Sequence, residues 1–427
     1  MVGQGADAEA PVASRRKSRQ GPYNPDVEGI SRRRLLGWLG AAGLGAAAGA
    51  SGVGLAGGNA TAESSGGEIV PFHGTHQAGI ATSQQTHVLF AALDVADASL
   101  REIHGLLGYW TESASRMTQG RPGSNRQSGP RGMPWDTGEA VGLGPNRLTL
   151  TFGVGPGLFL KDDADRFGLA MRRPAPLIDL PPFRTDRLDP ARSGGDLCIQ
   201  ACADDPQVAF HGIRELLRLS FGHVKVRWMQ AGFLPQTAGG ATPRNLLGFK
   251  DGTHNLRGTD AAALRRFVWV GSEGPSWMRG GTYLVARRIT MRIDKWDGSS
   301  LHEQETTIGR NKSSGAPLGG RREHDPVNPS AIPRSAHISV AGPASNGGER
   351  ILRRGYSFND GTDGQGGIDA GLFFMAYQRD PVRQFVAIQN RLSTHDALNE
   401  YISHTGSAIF AMFPGVQPGG SFGRGLL

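Results

Sequence analysis

The chain is poor in cysteine: Cys198 and Cys202 are the only two in 427 residues. Both fall in the apolar run "DLCIQACAD", and on a strand, positions four apart lie roughly 13 Å from one another, beyond the ~7 Å Cα limit for a disulfide. They are therefore expected as buried free thiols. No C-x-x-C-H occurs, which excludes covalent c-type haem attachment, and no Cys/His cluster has structural-zinc spacing. Phosphate-cradling signatures are missing as well: there is neither a strand-to-helix G-x-G-x-x-G nor a G-K-[ST]. Neither sign of charge dominates: 46 Lys and Arg face 38 Asp and Glu. The net charge is +8, the arginines are scattered, and no basic helix or aromatic-basic platform is present, so a nucleic-acid partner is set aside.

What is present begins with a distinctive N-terminus, "SRRRLLGWLGAAGLGAAAGASGVGLAGGNATA". It resembles a twin-arginine export signal, with Arg32 and Arg33 as the pair, Leu35 and Leu36 after them, and Ala60-Thr61-Ala62 as an A-x-A cleavage site. Leu35 to Ala56 is long enough to cross a bilayer, but its many glycines make a poor membrane helix. Residues 1–62 are expected to be cleaved, leaving no stable membrane anchor and a periplasmic or extracellular protein. Their loss removes seven Lys/Arg and four Asp/Glu, leaving a mildly basic mature chain of about +5. The route exports folded proteins, often with a cofactor already inserted.

Periodicity organises the remainder. A strand over "HVLFAALDV" is followed by a helix from Ser99 to about Met117, with Leu100, Ile103, Leu106 and Leu107 on one face. Strands at "RLTLTFGVG" and "DLCIQACAD", a helix from Pro206 to Ser220 and the strand "HVKVRWMQAGF" complete residues 63–235. After a connecting segment, 236–280, residues 281–427 repeat the order: strand "GTYLVARRITMRI", helix "SLHEQETTIGR", strands "AHISVA" and "GLFFMAYQR", a helix over "FVAIQNRLSTHDALNEYISH", and strand "SAIFAMFPGV". The pattern predicts an α+β fold of two ferredoxin-like halves, antiparallel sheets with helices packed outside.

The connecting segment holds "NLLGFKDGTHNLRG", with Asp251 between Gly248 and Gly252. Taken alone this is a turn carrying a charge, and His254 and Asn255 read as solvated turn residues. Downstream, "RSAHISVAGP" sets His337 in an apolar run, and "ILRRGYSFNDG" presents Arg353 and Arg354 beside a glycine. An arginine pair there calls for an anion.

Together these segments resemble the dye-decolourising peroxidases, in the exported branch linked to iron uptake and deferrochelatase activity. The resemblance rests on G-x-x-D-G at Gly248 to Gly252, A-H-I at Ala336 to Ile338, L-R-R-G-Y-S at Leu352 to Ser357, "DAGLFFMAYQ" and "FPGV", in order along nearly the whole mature chain. It implies two ferredoxin-like halves in a dimeric α+β barrel and one non-covalent haem b, mainly in the C-terminal half. His337 would be the proximal iron ligand, with its second ring nitrogen donating to an acceptor. Asp369 is the candidate acceptor, a strand-end cap being its other reading. Asp251 would shuttle a proton between the peroxide oxygens, and Arg353 would stabilise the charge that develops as they separate. Gly252 and Thr253 would lie against the cofactor. Arg354 would point the other way, toward a haem propionate or an acidic partner. Tyr356, Trp228 and Tyr377 are electron-relay candidates by residue type alone. The implied reactants are hydrogen peroxide with a dye, phenol or other organic donor; the alternative is release of iron from haem with the porphyrin left intact. The branch also leaves room for a homo-oligomer and for iron-uptake partner proteins.

An aspartate base has a pH consequence, since unperturbed carboxylates ionise near pH ~3.9 and imidazoles near ~6.5. Peroxide-dependent dye oxidation is predicted to persist into acid and to fall toward neutrality, as read from a pH–rate profile. A maximum above pH ~7 would contradict the assignment of a carboxylate as the base.

Overall fold

The computed structural model describes residues 67–96, 98–124, 134, 136–237 and 240–427. The expected export signal, 1–62, lies outside them. Thr61–Leu427 form one compact unit. Its first half contains β1 (His87–Val95), α1 (Leu100–Met117), β2 (Thr149–Val154), β3 (Leu197–Ala203), α2 (Pro206–Leu219) and β4 (Val224–Phe233). Then come α3 (Ala261–Phe267), β5 (Thr282–Met291), α4 (Ile293–Asp297), α5 (Leu301–Ile308), α6 (His337–Ala341), β6 (Leu352–Arg353), β7 (Tyr356–Thr362), β8 (Ile368–Gln378), α7 (Ala387–His395) and β9 (Ile402–Met412).

Local chemistry explains the helices of the first half. Ser99 and Glu102 form a reciprocal capping box at the start of α1, and Asp205 accepts from Gln207 N and Val208 N ahead of Pro206 in α2. The i, i+3, i+4 face of α1 buries Ile103, Leu106, Leu107, Trp110 and Ala114. The indole of Trp110 donates to Ser220 Oγ at 2.8 Å, tying α1 to the end of α2.

Both halves have the ferredoxin-like strand order. The run β2-β3-β1-β4 is matched by β7-β8-β5-β9, with the first and third strands of each half in the centre. The fourth strand of each half meets the second strand of the other: β9 pairs with β2 at Gly153↔Met412 and Val154↔Ala411, and β4 with β7 at Phe233↔Ser357. These two narrow joints close the sheet into a barrel. Phe90, Phe373, Met375, Phe410, Cys198 and Cys202 fill its interior, both thiols free as expected. Alternation along β8 sends Leu372 and Phe374 to the opposite face, against a separate cluster of Leu247, Phe249, Trp296 and Tyr401. That second layer, between the C-terminal sheet and its covering loops, is where the site forms.

Two expectations need correction. "AHISVA" is not a strand but the short helix α6, bounded by Pro333 before it and Gly342-Pro343 after it. A segment this short cannot declare its period. The strand position it was expected to fill belongs to β6 and β7, which pair in succession with one side of β8 on either side of a break at Arg354–Gly355. Arg354 does point away from Arg353, but into the barrel, where it donates to Thr82 O at 2.8 Å and to Gln85 Oε1. It is 3 % exposed and meets neither an acidic partner nor the cavity described below. Among the described residues, no helix is long and apolar enough to cross a membrane.

The β5–β8 contact allows no side chain at Gly371, where a Cβ would sit 1.9 Å from Ile289 O. Gly371→Ala is expected to destabilise the fold by about 1–3 kcal/mol, through forced separation of the two strands. Denaturant unfolding checks this, the expected result being a lower midpoint at unchanged slope.

Candidate active site

The Asp251 segment is shaped by its own backbone before any partner acts. Gly248 N donates to Asn245 O at 2.9 Å and Asp251 N to Pro243 O at 2.9 Å, folding residues 243–251 back on themselves. Gly248 and Gly252 have φ of 83° and 117°, values that a side chain resists. Arg244 staples this fold from outside, donating to Gly248 O at 2.7 Å and Lys312 O at 2.6 Å.

The residues flanking Asp251 are gripped by one carboxylate. Glu323 accepts from Lys250 Nζ at 2.5 Å, from Thr253 Oγ1 at 3.0 Å, and from Thr242 Oγ1. Burial opposes its ionisation, but these donors and the Lys250 charge prevail and hold it at about 2. Thr253, expected against a cofactor, thus has its hydroxyl committed to the loop.

Asp251 reaches Arg353 from this platform, with Arg353 Nη1 donating to Asp251 Oδ1 at 3.0 Å. Each side chain keeps 30 % of its surface accessible, so the ion pair is presented rather than buried. Asp251, Gly252, Asn255 and Arg353 line a cavity of about 490 Å³, which Leu372, Phe374 and Leu234 bound with apolar surface. A smaller cavity, about 230 Å³, lies against Trp228, Phe373 and Arg288 and holds none of these groups. Asn255 is no solvated turn residue. Its amide donates to Arg353 O at 2.6 Å and accepts from Arg353 N at 2.8 Å.

His337 begins α6, which packs on α5 and α7. Its Nδ1 lies 2.6 Å from Asp396 Oδ2. Because an ionised carboxylate only accepts, Nδ1 carries the proton, and Nε2 offers a lone pair when the ring is neutral. Burial pulls the ring's affinity for a second proton down, but the Asp396 charge and hydrogen bond raise it overall; Arg353 and Asp251 act on it too, in opposite senses. The ring is half-buried, with 31 % of its side-chain surface accessible. It is not among the residues that line the Asp251–Arg353 cavity, although the charges of that pair act on it.

Asp369 is not the acceptor for His337. It pairs through both oxygens with Arg288 Nη2, each at 2.8 Å. Strand geometry accounts for this: Arg353 is opposite Ala376 on β8, and Asp369, seven residues along, is ~23 Å away at the far end of the strand. Asp396 was hidden because the apolar pattern suggested a helix running through it. In fact α7 stops at His395, and Asp396 caps the next turn by accepting from Leu398 N at 2.9 Å. An Asp two residues ahead of an apolar position was the available signal. The sequence held no comparable sign of the Asn255 contact, which spans 98 residues.

His254 has several basic neighbours. Burial first, and then Arg310, His324, Arg350 and Arg353, hold this imidazole below its ordinary value.

With this geometry, two family models match the chain: "Dyp-type peroxidase, N-terminal" over residues 77–234 and "Dyp-type peroxidase, C-terminal" over residues 242–417. The chain is 36 % identical to the deferrochelatase of Escherichia coli strain K12 over 415 residues, covering 93 % of this chain and 97 % of that protein. Among solved structures, a DyP-type peroxidase from Streptomyces coelicolor superposes with TM-score 0.78 at 40 % identity, covering 85 % of this chain and 98 % of that one. Ferric DtpA from Streptomyces lividans does so with TM-score 0.78 at 40 % identity, covering 84 % and 98 %.

The Glu323 grip yields a pH prediction. Its folded value, about 2, lies below the ordinary 4.5, so its contribution is fully present above pH 4.5, shrinks as pH falls, and is gone below about 2. Glu323→Gln is expected to speed amide hydrogen exchange across residues 248–256 at pH ~5, with the difference from wild type closing toward pH ~2.

Proposed function

Because the chain belongs to the Dyp-type peroxidase family, we propose that His337 would hold one haem b while Asp251 and Arg353 act on peroxide. The observation that carries this assignment is the partly accessible His337, its Nδ1 fixed by Asp396, with the charges of the Asp251–Arg353 pair acting on its ring. The donor set suits the group. A neutral imidazole nitrogen is a haem-iron ligand, the apolar wall of Leu372 and Phe374 suits a porphyrin, and the guanidinium of Arg353 in the same wall suits a carboxylate. The open backbone at Gly252, where the nearest atom to a Cβ would be 3.8 Å away, supports close approach of the cofactor.

Bound haem would supply the iron that takes up peroxide and accepts its oxidising equivalents. The protein's own groups do the rest. Asp251 removes the proton from the near peroxide oxygen and returns it to the far oxygen, which leaves as water. Arg353 meets the negative charge that develops on that oxygen, and its guanidinium does not deprotonate while doing so. Asp396 orients the His337 ring and raises its basicity as a ligand. Dyes, phenols and other organic molecules are the donor class.

A second reading, release of iron from haem with the porphyrin intact, draws support from the 36 % identity to proteins named deferrochelatase. Incubation with haem separates the two: intact protoporphyrin as product supports iron release, and a rapid spectral response to peroxide with donor turnover supports the peroxidase. Export by the twin-arginine route, with 1–62 as the cleaved signal ahead of 63–235, 236–280 and 281–427, belongs to the same proposal. A homo-oligomer and iron-uptake partners are compatible with it.

Substitution tests the assigned roles. Asp251→Ala and Arg353→Ala are expected to retain haem while slowing the reaction with peroxide, and His337→Ala to lose haem. Asp396→Asn should cost roughly ten- to hundredfold in haem affinity or activity. Asp369→Asn should leave both unchanged and register only as lower stability, through Arg288. Equal effects at Asp369 and Asp396 in stopped-flow and haem-retention assays would refute the assigned proximal contact.

A further inference from the structure

We infer that Asn255 is a positioning residue for the distal arginine, doing for the Arg353 main chain what a neighbouring strand would otherwise do. β6 is only two residues long, and it pairs with β8 on one side, Leu352↔Tyr377 and Arg353↔Ala376. The next main-chain donor, Arg354 N, also turns toward β8, donating to Met375 O at 2.8 Å. Successive residues of a strand alternate the side to which they present N–H and C=O, so the Arg353 groups face away from β8. Among the described residues, no strand lies on that side. Asn255 supplies both missing bonds from one side chain: Nδ2–H donates to Arg353 O at 2.6 Å, and Arg353 N–H donates to Oδ1 at 2.8 Å.

The grip also fixes a register. Asn255 lies four residues after Asp251 on the same loop, and Asp251 holds the Arg353 side chain at 3.0 Å. One loop therefore fixes Arg353 at both ends, main chain and guanidinium. Oδ1 accepts from Leu256 N as well, at 3.0 Å, which orients the amide before it meets Arg353. Without Asn255, the N–H and C=O of Arg353 would be left to solvent at the cavity wall, and β6 would have hydrogen bonds on one side alone. The guanidinium would then no longer be aimed relative to the carboxylate beside it.

This inference rests on the peroxidase reading for its kinetic consequence, but not for its structural one. The test uses the haem-loaded full chain with Asn255→Ala and Asn255→Asp, the latter keeping the acceptor for Arg353 N–H and losing the donor to Arg353 O. Asn255→Ala is expected to slow the reaction with hydrogen peroxide roughly ten- to hundredfold, with haem content and the donor concentration for half-maximal rate unchanged. Asn255→Asp should fall between Asn255→Ala and wild type. Amide exchange over residues 351–356 should accelerate in the same order. Peroxide rates and exchange within about twofold of wild type in Asn255→Ala would overturn the inference. If that variant does not retain haem, wild-type behaviour of Asn255→Asp in both measurements overturns it instead. An unchanged peroxide rate in Arg353→Ala, with exchange still responding to Asn255, would count against the peroxidase reading alone.

Discussion

The site depends on one ion pair held between two segments that are distant in sequence. Asp251 comes from a loop and Arg353 from a two-residue strand, and they meet at 3.0 Å with part of each still accessible. An exposed pair of this kind contributes little to stability, roughly 0–1 kcal/mol, so it cannot assemble itself. Its geometry is imposed from outside, by Glu323 on the residues flanking Asp251, by Asn255 on the main chain of Arg353, and by Arg244 on the preceding turn. A carboxylate and a guanidinium are thus kept at fixed separation and partly free to engage a reactant, which is the arrangement that preorganised electrostatic catalysis requires.

The barrel makes this possible through a flaw in its own pairing. β8 is flanked by one continuous partner, β5, and by one broken partner, β6 and β7. The break divides two adjacent arginines between opposite environments. Arg353 faces the cavity, while Arg354 is buried in the barrel and satisfied by Thr82 and Gln85. The twin arginine motif is therefore one functional side chain and one structural one, separated by the alternation of extended backbone.

Much of this was legible in the chain. The strand and helix order of the first half follows from period and capping, and motif resemblance named Asp251, His337 and Arg353 together. The errors share a cause. His337 reads as a strand residue because so short a segment fits either period, and Asp369 reads as its acceptor because strand register, and so the ~23 Å separating it from the site, cannot be read before the sheet is known. Asp396 and Glu323 carry no sign of their roles, and Asn255 reads as a solvated turn residue, because each acts through hydrogen bonds to residues at least 59 positions away. Polar residues that position a site have no periodicity of their own.

The central claim is that the protein binds haem through His337 and presents it to peroxide beside Asp251 and Arg353. The most direct measurement is the absorbance spectrum of the purified protein after haem reconstitution, recorded before and after one equivalent of hydrogen peroxide. The account predicts a Soret band that is weak or absent in His337→Ala and that shifts rapidly with peroxide in the wild type. A wild-type protein with no Soret band, or with one indifferent to both peroxide and the His337 substitution, would contradict it.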